Sequence, residues 1–203
     1  MFEIKKAEFI MGFAAGSSFP PEKRCEIAVV GRSNAGKSSL INTLCRNHKL
    51  ARTSAAPGKT RQCNYFLING DFYLVDLPGY GFAKAPRGEK ESWGELMDRY
   101  LSSGRVNHLF LLLDIRHPPT DEDRQMLAYV VYYGIPFTII ATKADKLAKT
   151  KVKPAANLNA KLCGAPPYAI PFSSETGAGR EELLSRIEAI LADRNGEAEG
   201  SGQ

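Results

Sequence analysis

Gly31-Arg32-Ser33-Asn34-Ala35-Gly36-Lys37-Ser38 is a glycine-bounded loop ending in a lysine and a hydroxyl, the pattern G-x-x-x-x-G-K-[ST]. Gly31 and Gly36 lack a Cβ, so the backbone can wrap closely around an anion. The N–H groups of the loop and of the following Ser39 then point at phosphate, helped by the positive end of a helix. Lys37 would reach the outer phosphates, and the Ser38 hydroxyl would ligate Mg²⁺. The context fits, because Cys25 to Val30 reads as a buried strand and Leu40, Ile41 and Leu44 recur at helical spacing.

Three further clusters sit where strands end, and ligands gather there in open α/β sheets. Asp76-Leu77-Pro78-Gly79 closes one apolar run. Asp76 would place a carboxylate beside Mg²⁺, and Gly79 would bring a backbone N–H to the γ-phosphate. Thr142-Lys143-Ala144-Asp145, followed by Lys146, matches [NT]-K-x-D. A carboxylate there accepts from guanine N1–H and the exocyclic amine, a donor pair adenine lacks. The Lys143 stem would lie across the base. Phe172-Ser173-Ser174 follows the last strand, where a backbone N–H would meet the guanine carbonyl. Lys37 and Gly79 are thus catalytic candidates.

The elements needed to hold these clusters are also legible. Strand-like runs at 25–30, 63–68, 72–75, 109–115, 136–141 and 168–172 alternate with helical runs at 89–101, 121–133 and 179–193. Trp93, Leu96, Met97 and Tyr100 form one apolar stripe, and Met126, Leu127, Val130 and Val131 another. Lys146 to Cys163 reads as a basic helical stretch interrupted at Pro154. Asn69-Gly70 between two strand runs signals a hairpin. The expected fold is α/β: a three-layer, small-GTPase-like P-loop NTPase with a mostly parallel six-stranded sheet, one antiparallel hairpin-linked strand and helices on both faces. Residues 1–24 read as an arm packed on the domain through Phe9, Phe13 and Phe19. Residues 25–194 form the nucleotide-binding domain, and 195–203 a disordered tail.

With 203 residues, 43% hydrophobic and 24% charged, the chain has the composition of a soluble single domain. No apolar run reaches the roughly 20 residues that span a bilayer. The N-terminus has no signal-peptide pattern, so a cytoplasmic location is expected. Cys25, Cys45, Cys63 and Cys163 form no C-x-x-C pair, which argues against a zinc or disulfide framework. No heptad argues for an obligate dimer, and a monomer is expected. The net charge of +5 favours a polyanionic partner. Lys143, Lys146, Lys149, Lys151, Lys153 and Lys161 are the candidate contacts to RNA phosphates, against the plainer reading of a solvated helix face.

The stretches GRSNAGKSSLIN, Pro57-Gly58-Lys59-Thr60, Asp76-Leu77-Pro78-Gly79-Tyr80-Gly81-Phe82-Ala83 and Thr142-Lys143-Ala144-Asp145-Lys146-Leu147 together resemble the EngB (YihA/YsxC) family, within the TrmE-Era-EngA-EngB-Septin-like GTPases. The resemblance runs from Phe9 to Leu191. It implies a bacterial GTPase that assists late assembly of the large ribosomal subunit and is needed for normal cell division and septation. It implies that Thr60 is a catalytic switch residue joining Ser38 and Asp76 on Mg²⁺, flanked by nucleotide contacts at Gly58, Lys59, Arg61 and Gln62. The family usually has Gln directly after that Thr, whereas Arg61 intervenes here before Gln62.

Tyr80 stands where Ras-like enzymes carry the Gln that orients the attacking water, so slow intrinsic hydrolysis is expected. In related GTPases similar to the TrmE group, an Asn at the Asn34 position ligates K⁺. Asn34 either does the same or only supports the loop backbone. Two other readings remain beside the ribosomal one: a septation or signalling module whose essential partner is not the ribosome, and an ATP-using P-loop kinase, against which Asp145 argues.

Overall fold

The computed structural model describes residues 2–14, 16–51, 62–81 and 87–200. Its sheet has strands β1 (Ala7–Phe13), β2 (Cys25–Gly31), β3 (Cys63–Ile68), β4 (Phe72–Asp76), β5 (Val106–Asp114), β6 (Phe137–Thr142) and β7 (Ala169–Pro171) in the order β1-β3-β4-β2-β5-β6-β7. β3 is antiparallel to both its neighbours and every other pairing is parallel. The helices are α1 (Lys37–Leu44), α2 (Arg87–Leu101), α3 (Asp121–Tyr132), α4 (Lys149–Cys163) and α5 (Arg180–Gly200).

The sheet forms because β2 is apolar on both faces. Ile27 and Val29 pack with Leu40, Ile41 and Leu44 of α1 and Leu183, Leu184 and Ile187 of α5. Ala28 and Val30 pack the opposite way, with Leu96, Met97 and Tyr100 of α2, Met126, Leu127 and Val130 of α3 and Ala156 and Ala160 of α4. The alternation is the period of two along a strand, and a continuous apolar run is what a doubly covered parallel strand requires. Register then aligns the site. Val29 pairs with Asp76, Gly31 with Leu112, and Asp114 with Thr142, so Gly31, Asp76, Asp114 and Thr142 share the carboxyl edge.

The hairpin forms as its sequence suggests, with Asn69 (φ 54°) and Gly70 (φ 72°) both in the left-handed region. Asn69 also fastens the arm. Its Oδ1 accepts the Lys5 and Lys6 N–H groups and its Nδ2 donates to the Glu3 carbonyl. At the sheet edge remote from the carboxyl ends, fully buried Glu26 accepts from the Tyr65 and Tyr100 hydroxyls and pairs with Arg105 at 2.6 Å.

Several expectations need correction. The sheet has seven strands, because the arm adds β1 beside β3. Phe13 is fully buried and stacks on Phe19 at 4.3 Å, but Phe9 is 54% exposed and meets Phe66 edge-on. Val131 lies outside the α3 stripe, 59% exposed. Pro154 lies inside α4 and does not interrupt it. Its ring removes an N–H that would reach the Thr150 carbonyl, and Thr150 is exposed, so water can take that place. The last helix runs to Gly200, past the Asp193 end read from the sequence, since each added residue contributes one more bond to an existing helix.

Candidate guanine-nucleotide site

The phosphate loop joins β2 to α1 with its backbone in the conformations its residues permit. Gly36 has φ 95° and Asn34 φ 66°, a left-handed value that Asn tolerates better than most residues. Gly31 is packed so closely that a Cβ would lie 3.0 Å from the Leu112 carbonyl oxygen and 3.2 Å from the Ala35 Cβ. Buried Ala35 fixes the inner wall, its carbonyl accepting the Thr142 hydroxyl at 2.7 Å. Lys37 Nζ donates to the Gly31 carbonyl at 3.4 Å, spanning the loop it belongs to. Desolvation lowers its pKa, with Asp76 opposing.

Asp76 supplies the facing charge. Burial pushes its carboxyl up to about 6, with the Lys37 ammonium pulling the other way. Its Oδ1 is buried with no hydrogen-bond partner. A buried carboxylate oxygen left unpaired is costly unless something positive meets it. With the Ser38 hydroxyl on the first turn of α1, it offers the hard oxygen donors that Mg²⁺ takes, so the residues fit the cation. Thr60, the third expected ligand, and Gly58, Lys59 and Arg61 lie outside the described residues. The Gln62 side chain covers Gly12 of β1 and donates to Asn64 at 3.1 Å.

Gly79 lies directly against the loop. A Cβ on it would sit 3.0 Å from Lys37 Nζ and 3.2 Å from the Ser33 N. The segment is pinned on both sides, because Leu77 N–H donates to Val29, Ser33 N–H to the Tyr80 carbonyl, and Trp93 Nε1 to the Pro78 carbonyl. Arg32 bridges to Tyr80, and its Nε is buried without a partner. The Tyr80 ring is itself buried. Its hydroxyl donates to Asp123 Oδ1 at 2.7 Å, and desolvation first, then the Asp123 charge, raises its pKa.

The base-reading end is built from two loops held together. Ala144 N–H donates to the Phe172 carbonyl, and Phe172 N–H to the Ala141 carbonyl. Ser173 is fully buried, and its hydroxyl donates to Asp145 Oδ1 at 2.6 Å while Lys146 pairs with Oδ2 at 2.9 Å. Those two partners, Ser173 foremost, hold the Asp145 carboxyl below its ordinary value. Ser173 N–H donates to the Ala178 carbonyl, and Ser173 acts on Asp145 through its hydroxyl. The Ser174 carbonyl accepts the Thr43 hydroxyl at 3.5 Å.

Lys143 (φ 61°) reaches across to the phosphate loop, donating to the Asn34 carbonyl at 2.8 Å and pairing with Asp114 at 2.9 Å. Burial would raise the Asp114 carboxyl, but Arg116 and Lys143 outweigh it and hold the group ionised. One lysine thus ties the guanine-reading loop to the phosphate loop. The partners Asp114 and Asp123 were not singled out from the sequence. Asp114 carries the signal that marked Asp76, a carboxylate closing an apolar run.

A family model described as 50S ribosome-binding GTPase matches residues 26–143. The chain is 46% identical over 191 residues, 93% of this chain and 98% of the relative, to a probable GTP-binding protein EngB of Fusobacterium nucleatum. It is 43% identical over 194 residues, 94% and 93% of the two chains, to a protein of that name from Alkaliphilus metalliredigens. Among solved structures, a probable GTP-binding protein engB superimposes with a TM-score of 0.69 at 23% identity, covering 83% of this chain and all of the other. Era bound to MgGDPNP and a piece of 16S ribosomal RNA has a TM-score of 0.65 at 22% identity, covering 84% of this chain and 56% of that one. At those identities the two structures establish the shared fold.

Proposed function

Since this chain belongs to the EngB family of GTP-binding proteins and is a GTPase, we propose that it works as a slow, nucleotide-dependent switch in late assembly of the large ribosomal subunit, in the cytoplasm, and through it in normal cell division and septation. The observation that carries the switch is the packing of Gly79 on Lys37 and Ser33. A γ-phosphate entering beside Lys37 must meet the Gly79 backbone, so the segment from Asp76 to Tyr80 responds to whether that phosphate is present. The description of the matching family model supports the ribosomal target.

Each residue has a part in this reading. The loop from Gly31 to Ser39 cradles the phosphates, and Lys37 offsets charge on the outer ones. Ser38, Thr60 and Asp76 would hold Mg²⁺, which would supply positive charge to offset that of the phosphates. Asp145 reads guanine, with Ser173 fixing the carboxylate and the Lys143 stem lying across the base. Tyr80 stands where Ras-like enzymes carry the water-orienting Gln, and its hydroxyl is committed to Asp123. Hydrolysis is therefore slow until a partner supplies that element.

Depletion of the protein followed by gradient profiling of ribosomal particles tests the proposal. Accumulation of large-subunit precursors is expected. A normal profile, with division defects appearing alone, would overturn the ribosomal part and favour a septation module.

A further inference from the structure

Residues 146 to 174 contain five lysines, no arginine and no acidic side chain. The chain's whole net charge of +5 equals the charge of this one segment, and acids and bases balance elsewhere. The structure gathers most of it on α4. Lys149, Lys151, Lys153 and Lys161 are exposed, and among the described residues none of them is ion-paired. From Lys149 to Lys161 the helix advances about 18 Å.

This arrangement does not serve the helix. Lys149, Lys151 and Lys153 crowd the first turns, where the macrodipole is positive, no acidic residue offsets them, and Ala148 gives no side-chain cap. Three cations at that end oppose helix formation, and phosphate oxygens would relieve the conflict. The outward face also carries Leu158, 54% exposed, and Leu162, 43% exposed, with Tyr168, 58% exposed, following the helix. The true apolar face of α4 is already spent on the core through Ala156, Ala160 and Cys163. What remains is too narrow a stripe to enter a lipid surface. Exposed cations spread around the first turns and flank of one helix, with the exposed Tyr168 ring beside them, suit a nucleic-acid backbone better.

We propose that α4, from Lys149 to Lys161 with Tyr168 at its edge, is a docking surface for the phosphate backbone of large-subunit ribosomal RNA. The proposal rests on the ribosomal reading above and adds to it the surface that makes the contact. This face lies apart from Asp76 and Gly79, so it supplies affinity while the switch segment supplies nucleotide dependence. Lys146 pairs with Asp145, which places the start of the surface next to the guanine-reading loop.

The test is sedimentation of the full-length protein, bound to a non-hydrolysable GTP analogue, with purified large subunits across a KCl series. The triple variant Lys149→Ser/Lys151→Ser/Lys153→Ser should bind about tenfold or more weakly, with the log–log salt dependence shallower by about 2. Its thermal midpoint should not fall, because the removed charges oppose the helix dipole. Lys5→Ser/Lys23→Ser/Lys49→Ser loses as much charge from other exposed positions and should bind like the parent. Equal binding by the α4 variant and the parent would overturn this inference and leave the ribosomal reading standing. Equal weakening by both triple variants would also overturn it, since net charge would then be the cause. Absence of binding by the parent protein in any nucleotide state would overturn both. Parent binding to phosphatidylglycerol vesicles, lost in the α4 variant while subunit binding persists, would overturn the RNA assignment in favour of a lipid surface.

Discussion

The Tyr80 hydroxyl donates to Asp123 Oδ1 at 2.7 Å, tying the segment after Gly79 to the first turn of α3. Asp123 is also the third residue of a capping box, where its Oδ2 accepts the Thr120 N–H at 2.8 Å and the Thr120 hydroxyl at 2.9 Å. The position that carries a water-orienting side chain in Ras-like enzymes is therefore occupied by a ring that faces inward, and its polar end is already satisfied. Tyr80→Phe removes one buried hydrogen bond and leaves Asp123 its Thr120 partners. Urea unfolding should register a loss of about 1 to 2 kcal/mol. Phosphate release without a partner should stay within about threefold of the parent. A tenfold drop in that rate would place the Tyr80 hydroxyl in the chemistry.

Ser173 and Asp145 give a second expectation. The Ser173 hydroxyl is the leading cause of the lowered Asp145 pKa and the group that fixes Oδ1. Ser173→Ala should weaken GTP and GDP alike by about fivefold, the worth of one hydrogen bond to a charged group that stays partly solvated. Asp145→Ala removes both acceptors and should weaken guanine nucleotides by more than about 100-fold while leaving ATP binding poor. Fluorescent-nucleotide competition measures both. A Ser173→Ala effect confined to GTP would mean that the residue senses the γ-phosphate.

The difference between what could be read in the chain and what could not has physical causes. Gly31, Asp76 and Thr142 were legible because buried parallel strands are continuous apolar runs, and a polar residue closing such a run lies at the carboxyl edge. The Asn69-Gly70 turn was legible because only a few residues accept positive φ in pairs. β1 was read only as part of an arm, since an edge strand with Glu8, Phe9 and Ile10 all exposed does not alternate, and a bulge between Phe9 and Met11 disturbs the period. Asp114 and Asp123 could not be assigned because their roles depend on which side chains arrive from elsewhere. Lys143 crosses from the end of β6 and Tyr80 from the end of β4, and no local pattern encodes either meeting.

His108 sets an acid limit on stability. It is buried on β5, its Nε2 lies 2.9 Å from the Thr138 hydroxyl, and that hydroxyl accepts from Arg186 Nε at 3.2 Å. Burial, with the Arg186 charge adding to it, lowers its pKa from 6.5 to about 4. The folded protein therefore resists protonating a ring that the unfolded chain protonates readily. The stabilising contribution is complete above 6.5 and disappears as pH falls towards 4, a loss of at most about 3 kcal/mol. Chemical denaturation at a series of pH values should show this slope in the parent and a flatter one in His108→Gln. An unchanged slope in the variant would assign the acid sensitivity to other groups.

Asn34 poses the last question. Its left-handed φ of 66° and the Lys143 bond to its carbonyl show that it supports the loop backbone. Neither use occupies its side chain, which is exposed at the phosphate loop. Among the described residues no hydrogen bond occupies its amide oxygen, which could ligate a monovalent cation, and positive charge placed there would offset charge developing between the phosphates. K⁺ should therefore raise GTP turnover over Na⁺ at equal ionic strength, by about tenfold, the scale of one added electrostatic contact. Asn34→Asp keeps an oxygen at the site and should retain a K⁺ preference. Asn34→Gly accepts the same backbone angle without the amide and should abolish the preference while preserving nucleotide affinity within about threefold. Phosphate-release assays in KCl and NaCl, with and without large subunits, decide the matter, and equal rates in both salts under both conditions would reduce Asn34 to its backbone role.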